Sequence, residues 1–263
     1  MKKAICSIYH DVVSPGNPDE SGFEGVGPAN YKFSVPDFQN HLESINRVLR
    51  CKPSIASALG IVELKPYLLT FDDGGVSAYN IIAPMLDVFG WKGHFFISTD
   101  YTGQKGFLSK EQILELHKNG HIIGSHSCSH PRIFSKISRE QMKYEWSKSM
   151  DVLSGIINQK VETASVPGGF YTKEVGKIAS ECGIKVLFTS EPQQRYYKLN
   201  DCLIVGRYTM FVSKTAEFSA KIAQGNLKTC FGEFAYWNLK KLAKNLAGEN
   251  YLKFRQFVLS RKK

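Results

Sequence analysis

Long apolar runs are missing from this chain of 263 residues. No stretch approaches the ~20 consecutive apolar residues that a membrane-spanning helix needs. The chain begins MKKAICSIYH, in which only a short, mostly apolar stretch separates the lysines from His10. That stretch is too short for the core of a secretion signal. We therefore expect residues 4–9 to form a buried first strand and the protein to reside in the cytoplasm.

Closely spaced cysteine pairs are also missing, although the chain has six cysteines. A chain of this length with 43% hydrophobic residues can bury a full core without disulfide bonds. We interpret the cysteines as free thiols in a reducing compartment. The sequence has no internal repeat and no low-complexity segment, and its length fits one large domain or two small ones.

Acidic residues are scarce relative to basic ones, with 24 Asp and Glu against 34 Lys and Arg. The resulting net charge of +10 is concentrated at one end, because residues 238–263 contain eight basic residues and a single acid. The rest of the chain is close to neutral. An enzyme acting on nucleic acid more often carries its positive charge around the working cleft. We therefore expect no nucleic-acid partner.

The basic end also has a helical apolar pattern. Apolar residues recur there every three to four positions, with a break near Gly248: Phe231, Phe234, Trp237, Leu239, Leu242, Leu246, Tyr251, Phe254 and Val258. This pattern predicts two amphipathic helices, and we divide the chain into a domain over residues 1–229 and a basic extension over residues 230–263. The extension either packs on the domain with its lysines in solvent or lies on an anionic membrane surface.

Short apolar segments alternate with helical patterns along the rest of the chain. The predicted strands cover residues 4–9, 67–71, 94–98, 122–124, 164–166, 185–188 and 203–206. Ser34, Ser109, Ser138 and Thr172 each precede a helical pattern, and glutamines three residues after Ser109 and Ser138 complete capping-box sequences. Strands that alternate with helices predict a parallel β/α fold, either an open sheet or a barrel.

In such a fold the functional side chains collect at the carboxyl ends of the strands. The residues that follow predicted strands are His10 and Asp11, Asp72 and Asp73, His126 and His130, and Pro167, Gly168 and Gly169. On a helical turn the His-x-x-x-His spacing would place both rings on one face, but alone it is weak evidence. Two histidines and one aspartate make a three-ligand set for a divalent metal with open positions. The other aspartate is then available as a general base.

Four segments occur in a specific order and spacing: LTFDDG at 69–74, GHFFI at 93–97, NGHIIGSH at 119–126 and HSCSH at 126–130. Together they resemble the polysaccharide deacetylases, the NodB-homology carbohydrate esterases, over roughly residues 66–210. The resemblance implies an α/β fold, a distorted and incomplete (β/α) barrel of about seven parallel strands. It also implies a divalent ion, most often Zn²⁺ with Co²⁺, Ni²⁺ or Mn²⁺ as alternatives. The implied roles are Asp73, His126 and His130 as metal ligands, Asp72 as general base and the backbone N–H of Gly168 as oxyanion donor.

Three positions depart from the family pattern. Ser165 stands where the third family motif has an arginine that supports the catalytic aspartate. The aspartate and tryptophan of the fourth motif are not found at residues 189–192, and the histidine that usually acts as general acid is missing near residues 205–208. We hypothesise that His10 supplies the proton with Asp11 as its orienter, and that Arg207 replaces the missing arginine electrostatically. The alternative for His10 is a structural role in bonding a neighbouring loop.

These residues predict a metal-dependent hydrolase that removes an N-acetyl group from an amino sugar in a glycan or a lipid-linked glycan precursor. Its expected place is the cytoplasm, peripheral to the inner face of the membrane. One alternative is a hydrolase of another small amide, such as a formamide or a ureide. Another is a non-catalytic carbohydrate- or lipid-binding protein on a deacetylase scaffold. Retention of three ligands and a base favours the enzyme, because binding alone does not require an open metal site.

Overall fold

The computed structural model describes residues 2–59 and 65–241. The strands are β1 (Ile5–Tyr9), β2 (Val12–Val13), β3 (Phe33–Ser34), β4 (Tyr67–Phe71), β5 (His94–Ile97), β6 (Ile122–Ser125), β7 (Thr163–Ser165), β8 (Val186–Phe188), β9 (Tyr197–Leu199), β10 (Cys202–Val205) and β11 (Tyr208–Thr209). The α-helices are α1 (Val26–Ala29), α2 (Val35–Val48), α3 (Ala83–Val88), α4 (Lys110–Lys118), α5 (Arg139–Ile157), α6 (Lys173–Glu181) and α7 (Ala216–Ala223). Residues 227–241 are also helical. Short 3-10 turns cover Pro18–Glu20, Ala56–Ala58, Thr99–Tyr101, Phe134–Lys136 and Pro167–Gly169, and a π-helical turn, Ala78–Ile82, leads into α3.

Nine of the described strands form one sheet in the order β11-β1-β4-β5-β6-β7-β8-β10-β9. Neighbouring strands are parallel except for the antiparallel pair of β10 and β9. The start of the chain lies beside the segment before β9, where Lys3 bridges Arg195 and the Ala4 N–H donates to the Gln194 carbonyl at 2.8 Å. The sheet therefore curls toward closure, and the predicted distorted, incomplete (β/α) barrel is confirmed.

All seven predicted strands are present, and each observed end lies within one residue of its prediction. These strands were recognisable because parallel strands are covered on both faces, so that their sequences are continuously apolar. β1, β4 and β5 are buried at every position. The strands that were not predicted, β2, β3, β9 and β11, have only two or three residues. Runs of that length carry no periodicity that distinguishes a strand from a loop.

The four predicted helix starts are observed as side-chain caps. The Ser34 hydroxyl accepts from the Asp37 N–H at 3.2 Å at the start of α2. Ser109 and Gln112 form a complete capping box at the start of α4. Ser138 and Thr172 cap α5 and α6 in the same way, each by accepting a backbone N–H three residues later. Each cap satisfies an N–H that would otherwise lack an acceptor, and this fixes the residue at which the helix begins.

The helical residues 227–241 pack on the barrel at several points. Cys230 is buried in the main hydrophobic core. Glu233 pairs with Lys214 at 2.6 Å, and Lys241 pairs with Glu191 at 2.7 Å. The predicted boundary at residues 229 and 230 falls inside this helical segment, and the second predicted amphipathic helix lies outside the described residues. Among the helices of residues 2–59 and 65–241, none is long and apolar enough to cross a membrane.

Candidate metal centre and catalytic site

The carboxyl ends of neighbouring strands bring the predicted site residues together. His10 follows β1, Asp72 and Asp73 follow β4, and His126 follows β6. Because β1, β4, β5 and β6 are consecutive in the sheet, their ends form one edge. All four side chains line a cavity of about 430 Å³. The strand order therefore gathers at one site residues that lie more than a hundred positions apart in the chain.

Asp73, His126 and His130 form a candidate metal site. The Asp73 Oδ1 lies 3.4 Å from Nε2 of His126 and 3.6 Å from Nε2 of His130. One ligand atom from each of the three residues lies within 4.8 Å of the other two. Two donors that are each ~2.0–2.1 Å from a tetrahedral ion are about 3.3 Å apart. The spacing of the carboxylate and the two imidazoles therefore fits a zinc-type ion.

The protonation states of these side chains suit metal binding. Burial by itself raises the pKa of Asp73, but His126, His10 and His130 outweigh it and hold that pKa well below its usual range. Burial lowers the pKa of His130, which favours its neutral imidazole. The Nδ1 of His126 lies 3.2 Å from the Ser165 carbonyl oxygen and can donate to it. With Nδ1 so engaged, the Nε2 lone pair is available to a metal.

The loop that carries the two histidines is irregular rather than helical. Ser127 and His130 adopt positive φ angles of 67° and 52°, and Asp73 adopts 79°. Left-handed conformations of non-glycine residues cost of order 1–3 kcal/mol each. The histidines therefore meet through a strained loop, and not through the face of a helical turn.

A buried glutamate of α5, Glu145, holds this loop in place. Its Oε2 accepts the backbone N–H groups of Cys128 and Ser129 at 2.9 Å each, and its Oε1 accepts the Ser129 hydroxyl at 2.7 Å. Burial by itself raises the pKa of Glu145, but these hydrogen bonds and one from Gln141 outweigh it and lower that pKa. Sequence reasoning missed this residue. The available signal was a glutamate on the apolar stripe of α5, between Met142 and Trp146.

Arg207 lies directly against Asp72. Its Nη1 donates to Oδ1 at 2.7 Å and its Nη2 donates to Oδ2 at 2.8 Å, which is a bidentate pair. Ser165, where the family has an arginine, donates its hydroxyl to the same Oδ1 at 3.2 Å. Burial by itself raises the pKa of Asp72, but Arg207 and His126 outweigh it and lower that pKa. Asp72 is therefore ionised at neutral pH.

The guanidinium of Arg207 is fully buried and fixed on several sides. Its Nε donates to the Thr189 carbonyl at 3.1 Å, and Nη1 also donates to the Thr70 hydroxyl at 3.0 Å. The rings of Phe96 and Phe188 lie 5.6 and 5.8 Å from its central carbon. Arg207 follows the end of β10, and its guanidinium contacts Asp72, which follows the end of β4.

His10 and Asp11 point to different partners. The ring of His10 contacts the ring of Tyr31 with centroids 4.6 Å apart. Its Nδ1 is buried and has no hydrogen-bond partner in the described part of the chain. Asp11 instead accepts the hydroxyls of Ser21 at 2.6 Å and Ser77 at 2.8 Å, and burial raises its pKa. The structure therefore does not place Asp11 as the orienter of His10.

Gly168 lies in the cavity wall within the turn Pro167–Gly169. Its φ angle is +62°, a conformation that strains residues with side chains. A Cβ at this position would lie 3.3 Å from the Arg132 carbonyl oxygen and 3.2 Å from the Phe170 ring. The turn therefore brings the backbone of Gly168 to the cavity wall.

Much of the remaining cavity wall is aromatic or cationic, and sequence reasoning assigned none of these side chains to the site. The aromatic and cationic residues are Phe23, Tyr31, Lys32, Arg132, Phe170, Phe211, Trp237 and Lys240. Trp237 and Lys240 come from the helical residues 227–241, which were predicted as part of an extension. Trp237 approaches the Gly168 turn, since its ring would lie 3.6 Å from a Cβ at Gly169. The described part of the extension therefore helps to form the cavity.

Comparison with known proteins shows similar chains. A model of the polysaccharide deacetylase family matches residues 61–187. The Bacillus subtilis protein YxkH is 28% identical over 162 residues, which are 59% of this chain and 58% of that protein. A chitin deacetylase of Arthroderma benhamiae is 34% identical over 117 residues, which are 43% of this chain and 30% of that protein. The chain thus spans little more than half the length of the first of these relatives and less of the second.

A solved structure shares the fold over most of the chain. The Streptococcus pyogenes deacetylase PplD, solved in complex with acetate, superposes with a TM-score of 0.68 at 23% identity. The superposition covers 82% of this chain and 95% of that one. The family match contains the strand ends that carry Asp72, Asp73, His126 and His130. Over residues 61–187 the chain is similar to the polysaccharide deacetylase family.

Proposed function

We propose that the protein is a metal-dependent hydrolase that removes the N-acetyl group of an amino sugar in a glycan or a lipid-linked glycan precursor. The observation that carries this proposal is the Asp72 carboxylate, held by Arg207 beside the candidate metal site at the base of a cavity. The similarity to a chitin deacetylase supports an N-acetylated sugar as substrate.

Asp73, His126 and His130 would hold the divalent ion, most simply Zn²⁺, with Co²⁺, Ni²⁺ and Mn²⁺ also compatible with one carboxylate and two imidazoles. The bound ion would act as a Lewis acid on the acyl oxygen and lower the pKa of an attacking water. Three protein ligands leave positions open for that water and the substrate. Ser165 keeps the ring of His126 in place through Nδ1.

The remaining steps belong to side chains and backbone groups of the cavity. Asp72 accepts the proton of the attacking water, and Arg207 keeps that carboxylate ionised and oriented. The Gly168 N–H donates to the oxygen that becomes negative in the tetrahedral transition state, a contribution of ~3–4 kcal/mol in other hydrolases. His10, at the cavity wall, gives a proton to the leaving nitrogen.

Metal content and acetate release test this function. The purified protein should carry a stoichiometric divalent ion by mass spectrometry and release acetate from N-acetylated oligosaccharides. A chelator should stop the release, and added Zn²⁺ should restore it. Bound metal without acetate from any N-acetylated sugar would support the non-catalytic binding protein instead. Release of formate or ammonia from a formamide or ureide would support the other small-amide hydrolase.

His10→Gln is expected to lower kcat on an N-acetyl sugar by ~10²-fold. A glutamine cannot donate a proton to the leaving amine, whereas an aryl acetate releases a stable phenolate without protonation. The loss on an aryl acetate should therefore be much smaller than the loss on the sugar. Comparing kcat for the two substrates measures the effect, and His117→Gln on α4, outside the cavity lining, is the matched control. An equal loss on both substrates would exclude His10 as proton donor.

We also propose that the protein is cytoplasmic and binds the inner, anionic face of the membrane through residues 227–241. All six cysteines are free thiols, as a reducing compartment requires. Leu227, Phe231 and Leu239 are 79%, 69% and 68% exposed, and the exposed Lys228 adjoins Leu227 on the same helix. Large exposed apolar side chains beside lysines favour an anionic lipid surface.

Sedimentation with lipid vesicles tests the membrane proposal. The protein should co-sediment with vesicles that contain anionic phospholipid and remain in the supernatant with neutral ones. Phe231→Ser should weaken this binding by roughly fivefold to tenfold, since burying one large apolar side chain contributes ~1.5–3 kcal/mol at most. Val88→Ser, which removes an apolar side chain that is 83% exposed on α3, should have no effect. Absence of binding to anionic vesicles, or proteolysis of the chain from outside intact cells, would contradict the proposal.

A further inference from the structure

Lys32 places an almost buried ammonium group in the cavity wall. The residue is 6% exposed, and its Nζ donates to the carbonyl oxygens of Pro18 and Phe23 at 2.6 Å each. Within residues 2–59 and 65–241, no carboxylate lies within 4.0 Å of Nζ, the limit for an ion pair. Lysines are almost never buried without an anionic partner. The two carbonyls use two of the three N–H donors, so one donor and the full charge remain available.

Two further cations line the same cavity, Arg132 and Lys240. Arg132 follows the metal-ligand loop, is exposed, and forms no ion pair in the described part of the chain. Lys240 comes from the helical residues 227–241. The cationic side chains therefore come from three separate segments of the chain and meet at one cavity.

Among the described residues, no acidic side chain of the cavity forms an ion pair with Lys32 or Arg132. Asp72 is paired with Arg207, and Asp73 faces His126 and His130. Asp11 accepts the hydroxyls of Ser21 and Ser77, and its charge interacts with that of Lys32 only over a distance longer than an ion pair. Elsewhere the described lining is aromatic or small and neutral. A cleft lined by charge of one sign concentrates ligands of the opposite sign.

We infer that the amino sugar bound in this cavity carries an anionic group, a phosphate or a carboxylate, which is recognised by Lys32 and Arg132 with Lys240 beside them. The inference rests on the proposed function of the site and specifies its substrate class. Arginine binds both groups through two parallel hydrogen bonds, and lysine binds them as a point charge. A neutral sugar would leave the buried ammonium of Lys32 without an ion pair among the described residues.

Binding is measured first, with sugars that lack an amide and cannot be hydrolysed. The probes are glucose 1-phosphate, glucuronate and the neutral methyl glucoside, titrated into the metal-loaded protein. Intrinsic fluorescence reports binding because the chain has three tryptophans, of which Trp91 and Trp146 are buried in the core and Trp237 lines the cavity. Glucose 1-phosphate or glucuronate should bind roughly tenfold more tightly than methyl glucoside at low salt, and the preference should shrink as salt is added. Which of the two binds more tightly identifies the anionic group.

Arg132→Gln should reduce this preference severalfold by weakening the binding of the anionic sugars. Arg195→Gln, on an exposed arginine outside the cavity lining, is the matched control and should keep the preference. If the Lys32→Met protein folds, it should lose more of the preference for anionic sugars than Arg132→Gln does. If it does not fold, the test rests on Arg132→Gln. Equal binding of anionic and neutral sugars to the unchanged protein would overturn the inference. An undiminished preference in Arg132→Gln would also overturn it, because the anion would then not contact Arg132 and would be held elsewhere, for example by the metal.

Acetate release separates this inference from the proposed function. N-acetylglucosamine 1-phosphate and the methyl glycoside of N-acetylmuramic acid should have a higher kcat/KM than methyl N-acetylglucosaminide, mainly through a lower KM. Acetate release at the same kcat/KM from charged and neutral sugars would support the proposed deacetylase function and contradict the inference that the substrate is anionic. Selective binding of anionic sugars without any acetate release would contradict the proposed deacetylase function and support the inferred anion-binding site.

Discussion

Asp72→Asn is expected to lower kcat for acetate release by ~10²–10⁴-fold while the metal stays bound. The amide has nearly the shape of the carboxylate but cannot accept the proton of the attacking water. The metal should remain because its proposed ligands are Asp73, His126 and His130, and Asp72 is instead held by Arg207. Kinetic measurement of acetate release and metal analysis of the same preparation provide the two readouts. This variant separates the base from the ligands, although the two aspartates are adjacent in the chain.

Asp201→Asn is the matched control for this variant, because the Asp201 side chain is 77% exposed and pairs with Lys198 at 3.2 Å. It should leave both the metal content and kcat unchanged. If Asp72→Asn loses the metal together with activity, Asp72 acts as a ligand and its assignment as base is wrong. If it keeps more than about a tenth of the activity, well above the range for a lost general base, another group accepts the proton.

Arg207→Met is expected to destabilise the protein by ~3–5 kcal/mol and to shift the acidic limb of the pH–rate profile to higher pH. The methionine leaves the carboxylate of Asp72 buried without its bidentate partner. In the unchanged protein, Arg207 lowers the pKa of Asp72 against the effect of burial. Without the guanidinium, burial dominates and raises that pKa, so the base becomes protonated at a pH where it is normally ionised.

The pH dependence of stability has a defined sign for this pair. Because the folded-state pKa of Asp72 is lowered, the ionised pair contributes stability above the unfolded-state pKa of ~3.9. That contribution is lost as the pH falls through the folded-state pKa. Arg207→Met should reverse the sign of this dependence in denaturation midpoints measured between pH 3 and 7, because a raised folded-state pKa of Asp72 makes the folded protein less stable as the pH rises. Arg207→Lys keeps the charge but not the two parallel hydrogen bonds, so its losses should be intermediate. An unchanged acidic limb in Arg207→Met would exclude a role for Arg207 in keeping the base ionised.

Local sequence patterns were sufficient for the strands, the capped helices and the residues at the strand ends. A parallel strand is continuously apolar, and a capped helix begins at a serine or threonine, so both features lie within a few consecutive residues. The candidate ligands could be found in the same way, since Asp73, His126 and His130 each follow a strand and the fold places those ends together. Similarity to one family then indicated which aspartate binds the metal.

The partners of these residues could not be found from local patterns. Asp72 and Arg207 are 135 positions apart, and Glu145 holds a loop 16 and 17 positions before it. Arg207 can contact Asp72 only because the sheet curls, which brings the end of β10 close to the end of β4. Lys32, Arg132 and Lys240 share one cavity only because three separate segments converge there. Contacts of this kind depend on how the elements pack in space, and periodicity along the chain carries no information about that packing.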